Sequence, residues 1–276
     1  MALPLQSQPH RVVIIGGGFG GLAAARHLNR RGIQVTLLDK RNFHLFQPLL
    51  YQVATGELSP ANIASPLRAI LRHQRNTQVL CGEVTEIDLE QKQVRIREGE
   101  SYAYDSLIIA TGATHSYFGN DQWEPHAPGL KTIEDATLIR KRLLSAFEEA
   151  ERSSDPKVQR QYLTFVIVGA GPTGVEMAGA LSEVAHHTLK HDFRTIDPET
   201  ARIVLVEAGA SPLGVYNARL QDRARQALSR LRVEFMGQSR VTEVDAEGVD
   251  VHTPAGPLRI EAKTVLWSAG VAASPL

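Results

Sequence analysis

Two glycine-rich segments supply the side-chain-free backbone that binding of a pyrophosphate requires. The first is GGGFGG at residues 16–21, and the second is GAGPTG at residues 169–174. Each matches G-x-G-x-x-G, in which missing Cβ atoms let backbone N–H groups approach phosphate oxygens at a helix N-terminus. A single match is weak, because glycine-rich turns recur by chance. Two matches in one chain predict two bound dinucleotides.

An acidic residue follows each glycine segment, at the end of the next predicted strand. Asp39 lies 23 residues after Gly16, and Glu207 lies 38 residues after Gly169. A carboxylate in this position accepts hydrogen bonds from ribose hydroxyl groups, and the alternative interpretation is a solvated strand end. Because Glu207 would repel a 2′-phosphate, we expect the second site to prefer NADH to NADPH. Arg202 and Arg219 could lie near enough to weaken that preference.

A protein that holds two dinucleotides usually passes electrons between them, which predicts a flavoprotein supplied by a nicotinamide, and two further features could contribute to such a redox site. Glu176 falls within the first turn of the helix predicted to follow the second glycine segment. It could face a nicotinamide and a flavin ring there, or it could serve only as a carboxylate at a helix start. The segment 42–56 is apolar and aromatic but contains Pro48 and Gly56. It could cover a flavin ring as a loop, or pack into the core as a helix. We interpret His44 within it as a structural histidine.

The elements that must position these residues occur twice. Each half is predicted to contain a strand, a helix, a second strand, a three-stranded meander and a buried returning strand. The predicted helices span residues 22–31 and 175–189, the second strands end at Asp39 and Glu207, and the returning segments are 107–112 and 265–270. The sequence therefore predicts an α/β fold with two Rossmann-like domains, each a parallel sheet with a three-stranded β-meander. Thr132 is expected to cap a separate helix that ends near Arg152.

Composition excludes several classes of protein. Lys+Arg and Asp+Glu both total 30, so there is no net charge to attract nucleic acid. One cysteine, Cys81, excludes an intramolecular disulfide and a Cys-x-x-Cys pair. The histidines lack zinc-binding spacing, and we expect no metal site. Met1–His10 has no signal-peptide pattern, and no apolar run reaches the roughly 20 residues that cross a bilayer.

Six segments together resemble the type II NADH:quinone oxidoreductases, the single-chain NADH dehydrogenases of respiratory membranes that pump no protons. The segment 42–60 is the most specific of them. The six segments are Arg11–Leu22, Asn42–Pro60, Ala110–Gly119, Leu130–Ala136, Leu163–Gly179 and Trp267–Val271.

The resemblance implies that hydride passes from NADH to FAD, and that the flavin then reduces a quinone. By position in that family, the residues nearest the chemistry are Glu176, Gln47 and Pro48. The implied FAD-binding residues are Gly16, Gly18, Phe19, Gly20, Gly21, Asp39, Lys40, Gln47, Ala110, Thr111 and Gly112. The implied NADH-binding residues are Gly169, Gly171, Pro172, Thr173, Gly174, Glu176, Glu207, Ala269 and Gly270.

The resemblance also predicts the organisation of the chain. Residues 1–130 would form an FAD-binding domain, 131–160 a connecting helix and linker, and 161–276 an NADH-binding domain. Family members continue beyond the second unit with a return to the FAD domain, quinone-site residues and membrane-anchoring helices. We therefore expect a truncated chain with weakened FAD retention and little quinone reduction. Its expected location is the cytoplasm, or the cytoplasmic face of a membrane through the missing part, and it could form a homodimer.

Three other functions are alternatives to an NADH:quinone oxidoreductase. A sulfide:quinone oxidoreductase needs paired redox cysteines, which Cys81 cannot supply. A ferredoxin or rubredoxin reductase remains open on fold alone. A non-catalytic NAD(H)-binding fragment with an empty FAD site also remains open.

Overall fold

The computed structural model describes residues 8–276, so the statement about Met1–His10 falls mostly outside the described part of the chain. The chain divides into two compact units. The first contains the chain up to Phe46, Ala61–Thr114 and Ala273–Leu276. The second contains Gln47–Pro60 and His115–Ala272.

The helices and strands follow in chain order. Up to His115 they are β1 (His10–Ile15), α1 (Phe19–His27), β2 (Ile33–Asp39), β3 (Phe43–Leu45), a 3-10 turn (Gln47–Leu49), α2 (Leu50–Thr55), α3 (Pro60–Ile63), β4 (Ala64–Pro66), α4 (Leu67–Ile70), β5 (Thr77–Cys81), β6 (Val84–Asp88), β7 (Gln93–Ile96), β8 (Ser101–Ala103), β9 (Ser106–Ile109) and β10 (Ala113–His115). After it they are a 3-10 turn (Asp121–Trp123), α5 (Ile133–Arg152), α6 (Pro156–Tyr162), β11 (Thr164–Val168), α7 (Pro172–Glu183), a π-helical turn (Val184–Thr188), a 3-10 turn (Pro198–Thr200), β12 (Arg202–Val206), α8 (Ala218–Arg230), β13 (Val233–Met236), β14 (Arg240–Asp245), β15 (Gly248–Thr253), β16 (Gly256–Glu261), β17 (Thr264–Trp267) and β18 (Val271–Ala273).

A four-stranded parallel sheet forms the centre of the first unit, in the order β5-β2-β1-β9. Successive side chains of β1 face opposite sides of this sheet. Ile14 packs in the cluster that includes α1 and α4, whereas Ile15 packs in the cluster formed with the meander β6-β7-β8. Ile15 pairs with Leu38 of β2. The turn after β1 and Asp39 therefore share the carboxyl edge of the sheet.

The second unit repeats this arrangement. Its parallel sheet has the order β13-β12-β11-β17, and its antiparallel meander is β14-β15-β16. Both meanders carry a register shift at the same place, between Val84 and Glu86 in the first and between Val241 and Glu243 in the second. A shared bulge is a duplicated feature of the backbone. The predicted α/β fold with two Rossmann-like units is confirmed.

The returning strands differ between the units. All four residues of β17 are buried, as predicted, but Ile109 of β9 is 56% exposed, so the expectation of a buried strand is wrong for the first unit. The backbone N–H of Trp267 donates to Pro128 O at 3.0 Å, and Gly129 forms a parallel bridge with Trp267. That segment covers the outer edge of β17. In the described chain, no strand pairs with the outer edge of β9.

Two helices have bounds that differ from the expected ones. Helix α1 ends at His27 and not at residue 31, because Asn76 Nδ2 donates to the carbonyl of Leu28 at 2.8 Å and to that of Ile33 at 3.1 Å. Helix α7 begins at Pro172, whose missing N–H costs nothing in the first turn. Its α-helical hydrogen bonding ends at Glu183. Among residues 8–276, no helix combines the length and apolar character needed to cross a bilayer.

The compact units differ from the predicted domains at three places, and the shortest of these is Ala273–Leu276, which belongs to the first unit and not to the second. The segment 47–60 belongs to the second unit, because α2 packs against α5 and α7. The second unit also begins at His115, well before residue 131, and includes the predicted connecting helix α5. Local sequence patterns do not show this, since the contacts that draw the segment into the second unit are made with helices far along the chain.

Replacing Thr132 with alanine should lower the free energy of unfolding of the second unit by about 1 kcal/mol. The predicted cap is confirmed: Thr132 Oγ1 accepts from Asp135 N at 3.1 Å, and Asp135 Oδ2 accepts from Thr132 N at 2.9 Å. Denaturation in urea can be followed by tryptophan fluorescence, because Trp123 and Trp267 both lie in this unit. Thr137→Ala on the same helix is the control, since its hydroxyl only donates to carbonyls one turn back. Equal losses in the two variants would contradict the role of the cap.

Candidate functional site

The first glycine turn is fixed by close backbone contacts. Gly16 N donates to Leu38 O at 2.8 Å, and Gly16 has φ +102°, a conformation that L-residues rarely adopt. A Cβ on Gly16 would overlap the carbonyl oxygen of Ala110, and one on Gly21 would overlap the carbonyl oxygen of Gly16. The first and last glycines of the motif therefore hold the start of α1 against β1 and against the segment after β9.

Gly18 has a different role from these packed glycines. It is the N-cap of α1, with φ −69°, and no side chain caps the helix. No atom lies within 4 Å of the position that a Cβ on Gly18 would occupy. Free N–H groups and open space at a helix N-terminus form a cradle for an anion such as a pyrophosphate. The residues present thus fit a dinucleotide.

Asp39 joins the turn to the second strand. Its Oδ2 accepts from Gly17 N at 2.6 Å, and its Oδ1 accepts from Arg41 N at 2.7 Å. A carboxylate has about four acceptor positions, so capacity remains for ribose hydroxyl groups. Asp39 is half-buried at the carboxyl edge of the sheet, which is the position predicted for a ribose-binding carboxylate.

The remaining predicted residues of the first site take up several positions. Ala110 follows β9 and lies against Gly16, while Gly112 lies in open space. Phe19 is 50% exposed in the first turn of α1, in edge-to-face contact with His44 at 4.9 Å between ring centroids. His44 Nδ1 also lies 3.1 Å from Gly17 O, in agreement with a structural role. The other predicted residues of this unit are Gly20, Lys40 and Thr111.

The second glycine turn has the same geometry. Gly169 N donates to Val206 O at 2.7 Å, and Gly169 has φ +98°. A Cβ on Gly174 would overlap the carbonyl oxygen of Gly169. Gly171 caps α7 with φ −71°, and no atom lies within 4 Å of its Cβ position. Pro172 and Thr173 follow it in the first turn of α7.

Glu207 repeats the contacts of Asp39. Its Oε2 accepts from Ala170 N, and its Oε1 accepts from Gly209 N, both at 2.7 Å. The carboxylate of each unit therefore bonds to the second residue of its glycine motif and to the N–H two residues after itself. This equivalence supports one ancestral site copied within the chain.

A cavity of about 650 Å³ opens beside the second turn. Gly169 and Glu207 lie on one side of it, and Phe118, Trp123 and Trp267 supply aromatic faces. Both tryptophans are 4% exposed. Planar rings and a carboxylate around a cavity of this size fit the adenosine half of a dinucleotide.

Sequence reasoning missed most of this wall. Ser239, Arg240 and Thr242 line the cavity from the start of the meander, whereas Ala269, which also lines it beside Gly169, is one of the residues predicted to bind NADH. Residues 82–88 and 239–245 are similar in sequence, which indicates a repeated meander but no ligand. Arg202, considered as a possible neighbour of a 2′-phosphate, instead pairs with Glu234 at 2.7 Å. The arginine that lines the cavity is Arg240.

Within the segment 42–56, residues 47–49 form a 3-10 turn and residues 50–55 form α2, so this part of the segment is helical and not a loop. Leu50, Val53 and Ala54 of α2 are buried, which agrees with the packed-helix alternative. Gln47 and Pro48 are exposed in the preceding 3-10 turn, where Gln47 Nε2 donates to Lys131 O at 3.0 Å. Both residues belong to the second unit, whereas Asp39 and the first glycine turn belong to the first.

Glu176 is the fifth residue of α7 and so lies beyond the first turn in which it was expected. The helix dipole stabilises anions mainly within that turn. Within the described chain its carboxylate accepts no hydrogen bond and forms no ion pair, and desolvation raises its pKa. Tyr51 of α2 lies nearby: desolvation raises the pKa of its hydroxyl, and the charges of Glu176 and Glu57 raise it further. A carboxylate whose charge is disfavoured in this way is typical of functional sites, which argues against a purely stabilising role.

Two Rossmann-type sheets, each with a glycine turn and a carboxylate at its carboxyl edge, define an α/β protein with two dinucleotide-binding folds. The sequence profile of the pyridine nucleotide-disulphide oxidoreductases matches residues 10–276. The chain belongs to that family.

Within this family, the chain is similar to individual proteins of one type. The chain is 53% identical over 271 residues to the type II NADH:quinone oxidoreductase Ndh of Mycobacterium tuberculosis, in a match covering 97% of this chain and 58% of the relative. It is 49% identical over 271 residues to NdhA of the same organism, with the same coverage. The chain thus spans just over half the length of these relatives.

Solved structures share the fold. NDH2 from Plasmodium falciparum in complex with NADH superposes with a TM-score of 0.89 at 24% identity, covering 97% of this chain and 56% of that one. The sulfide:quinone oxidoreductase of Aquifex aeolicus gives a TM-score of 0.74 at 20% identity, covering 94% and 58%. At these identities the likeness establishes the fold alone.

Replacing Glu176 with glutamine should raise the melting temperature at pH 7 by at most about 1 °C, because the residue stays largely exposed and solvent screens the effect. Because the pKa of Glu176 is raised in the folded protein, its ionisation destabilises the fold above that pKa. The difference should vanish below about pH 4, where the carboxyl group is protonated in both states. Differential scanning fluorimetry across pH measures this. Glu183→Gln, the same charge change at the last residue of the same helix, is the control, and an equal gain there would rule out desolvation of Glu176 as the cause.

Proposed function

We propose that this chain oxidises NADH with FAD as its bound cofactor, and that the electrons pass on to a quinone. The observation that carries the proposal is the 53% identity to a type II NADH:quinone oxidoreductase. The structure agrees with this similarity: each glycine turn has open space at the N-cap of its helix and a carboxylate bonded to the turn. Similarity alone supports the further proposals of a peripheral place at the cytoplasmic face of a membrane and of a homodimer.

We assign the first turn to FAD. Gly18 and the first turn of α1 would place backbone N–H groups around the diphosphate, Gly16 and Gly21 would hold that turn in place, and Asp39 would accept from a ribose hydroxyl. The segment Ala110–Gly112 would pass beside the cofactor. When bound, FAD supplies a flavin ring that accepts a hydride and releases electrons to a second acceptor.

We assign the second turn to NADH, the substrate. Gly169, Gly171 and Gly174 would hold its diphosphate, and Glu207 would bind its adenosine ribose in the aromatic cavity. The task of these residues is to bind and orient NADH, since hydride transfer requires no general acid or base from the protein. Glu176, Gln47 and Pro48 of the same unit would lie nearest the nicotinamide.

We extend the proposal to quinone as the electron acceptor, as in the relatives. Since the chain spans 58% of the length of Ndh, we expect quinone reduction by these 276 residues to be much slower than by that relative. NADH-dependent reduction of a water-soluble quinone, with both proteins assayed side by side, tests this expectation.

Replacing Glu207 with glutamine should weaken NADH binding about tenfold, because the ribose loses a charged acceptor. The preference for NADH over NADPH should also fall, since the 2′-phosphate is no longer repelled. Both tryptophans line the cavity, so energy transfer from tryptophan to the reduced nicotinamide reports binding without requiring turnover. Glu234→Gln, a charge change on β13 away from the cavity, is the control. A preference for NADPH in the unmodified protein would refute the assignment of Glu207.

Two valine substitutions separate the two nucleotide sites. Gly18 and Gly171 have ordinary φ values and open space at Cβ, so valine should preserve the fold while filling the cradle. Gly18→Val should weaken FAD binding at least about tenfold and leave tryptophan quenching by NADH intact. Gly171→Val should retain flavin absorbance and lose the quenching, so each variant is the control for the other.

Anaerobic addition of NADH to the unmodified protein completes this experiment. Bleaching of the flavin absorbance supports the enzyme. Quenching by NADH in a protein that binds no FAD would instead establish the non-catalytic NAD(H)-binding alternative.

A further inference from the structure

The charges of this neutral chain are unevenly distributed along it. Residues 1–82 contain only two carboxylates, Asp39 and Glu57, against nine basic residues. Those nine are Arg11, Arg26, Arg30, Arg31, Lys40, Arg41, Arg68, Arg72 and Arg75. Overall neutrality therefore conceals a strongly basic first part, and the absence of net charge does not exclude an anionic ligand there.

A cleft in the first unit gathers two of these arginines. It has a volume of about 440 Å³, and Arg68 and Arg72 line it together with Gln74, Thr77 and Gln78. The cleft lies between α4 with its following turn and strand β5. Its lining contains no carboxylate, and its apolar part consists of Leu71, Val79 and Leu80.

Hydrogen bonds fix the walls of the cleft. Arg68 Nε donates to Val79 O at 3.2 Å, which holds the guanidinium across the cleft and leaves its terminal nitrogens to donate elsewhere. Gln74 is 8% exposed, and its Nε2 donates to Ala25 O at 2.5 Å and to Thr77 Oγ1 at 2.8 Å. These hydrogen bonds lie within the protein, so the shape of the cleft does not depend on a bound ligand.

The arginines of the cleft have no anionic partner in the protein. Across residues 8–276, none of Arg68, Arg72 and Arg75 lies within 4.0 Å of a carboxylate. Arg72 Nε lies 3.0 Å from the ring nitrogen Nε2 of His73, so its side-chain partner is an imidazole ring and not a carboxylate. Elsewhere in the same unit, Arg11, Arg95 and Arg97 all form ion pairs. The cleft thus concentrates positive charge that the fold leaves uncompensated.

We propose that this cleft binds a phosphate ester. A guanidinium donates two parallel hydrogen bonds to phosphate oxygens, and two arginines can share one phosphate. The cleft exceeds the size of a bare phosphate, and its apolar residues would contact the organic part of the ester. Both a soluble phosphate ester and the headgroup of an anionic lipid carry this chemistry. The site uses none of the residues assigned to FAD or NADH and does not depend on that assignment.

Isothermal titration with glycerol 3-phosphate tests the proposal on the whole chain. The double variant R68Q/R72Q should weaken binding at least about tenfold for each arginine removed. The double variant R95Q/R97Q, with the same change of net charge in the same unit, should bind as the unmodified protein does. Arg72→Gln alone leaves the bond from Arg68 to Val79 in place, and it should still weaken binding about tenfold. Both glycine turns are intact in every variant, so differences among them report the cleft.

Co-sedimentation with vesicles of phosphatidylcholine and phosphatidylglycerol distinguishes the two sources of phosphate. Vesicle binding that is lost only in the cleft variants identifies a lipid headgroup. Binding of glycerol 3-phosphate without vesicle binding identifies a soluble ester. Equal losses in R68Q/R72Q and R95Q/R97Q, or no binding in either experiment, would overturn the proposal.

Discussion

The contact between the first and last glycines of each motif is the constraint on which both sites depend. In each unit, the carbonyl oxygen of the first glycine occupies the space that a Cβ on the last would need, at Gly16 and Gly21 and again at Gly169 and Gly174. This approach lets the helix start directly behind the first strand, with its N–H groups uncapped and free for phosphate. The carboxylate at the end of the second strand then reaches the turn, since parallel pairing brings the two strand ends to one edge. A single added methyl group at the last glycine would separate these parts, because backbone atoms on the other side cannot move aside as a flexible side chain can.

The two copies of this arrangement have diverged in what surrounds it. In the second unit, the returning strand is covered by Pro128 and Gly129, and its last residue, Trp267, forms part of an aromatic wall with Trp123 and Phe118. Trp267 Nε1 donates to Ser116 O at 2.8 Å, and Trp123 Nε1 donates to Glu243 at 3.0 Å, so these indole groups are buried with their hydrogen bonds satisfied. In the first unit, the equivalent strand leaves Ile109 exposed. A similar glycine turn thus lies beside an aromatic cavity in one unit and beside a strand with an exposed end in the other.

Two features could not have been predicted from local patterns. The segment 42–56 is interrupted by proline and glycine, which allowed both a loop and a helix. Only packing of α2 against α5 and α7 selects the helix for residues 50–55. The position of Glu176 within α7 depends on where that helix begins. Because Pro172 is the first helical residue, the carboxylate lies in the second turn. There it is desolvated beside Tyr51 and gains no benefit from the helix terminus. The cleft at Arg68 and Arg72 is a different case, because the local excess of basic residues is visible in the sequence, and only the fold shows that two of these arginines line one cleft.

The sequence by itself determined the duplication, the parallel sheets with their meanders, both glycine turns and both carboxylates. These features depend on backbone geometry that only particular residues allow: glycine where a Cβ would overlap, alternating apolar residues in strands, and Thr132 with Asp135 at a helix start. The family resemblance could also be found this way, because it lies in contiguous motifs. The tertiary structure alone decided the composition of the cavity wall, the unit to which residues 47–60 belong, and the environment of Glu176. Those depend on contacts between residues far apart in the chain, such as Trp123 with Glu243, whose spacing leaves no periodic trace in the sequence.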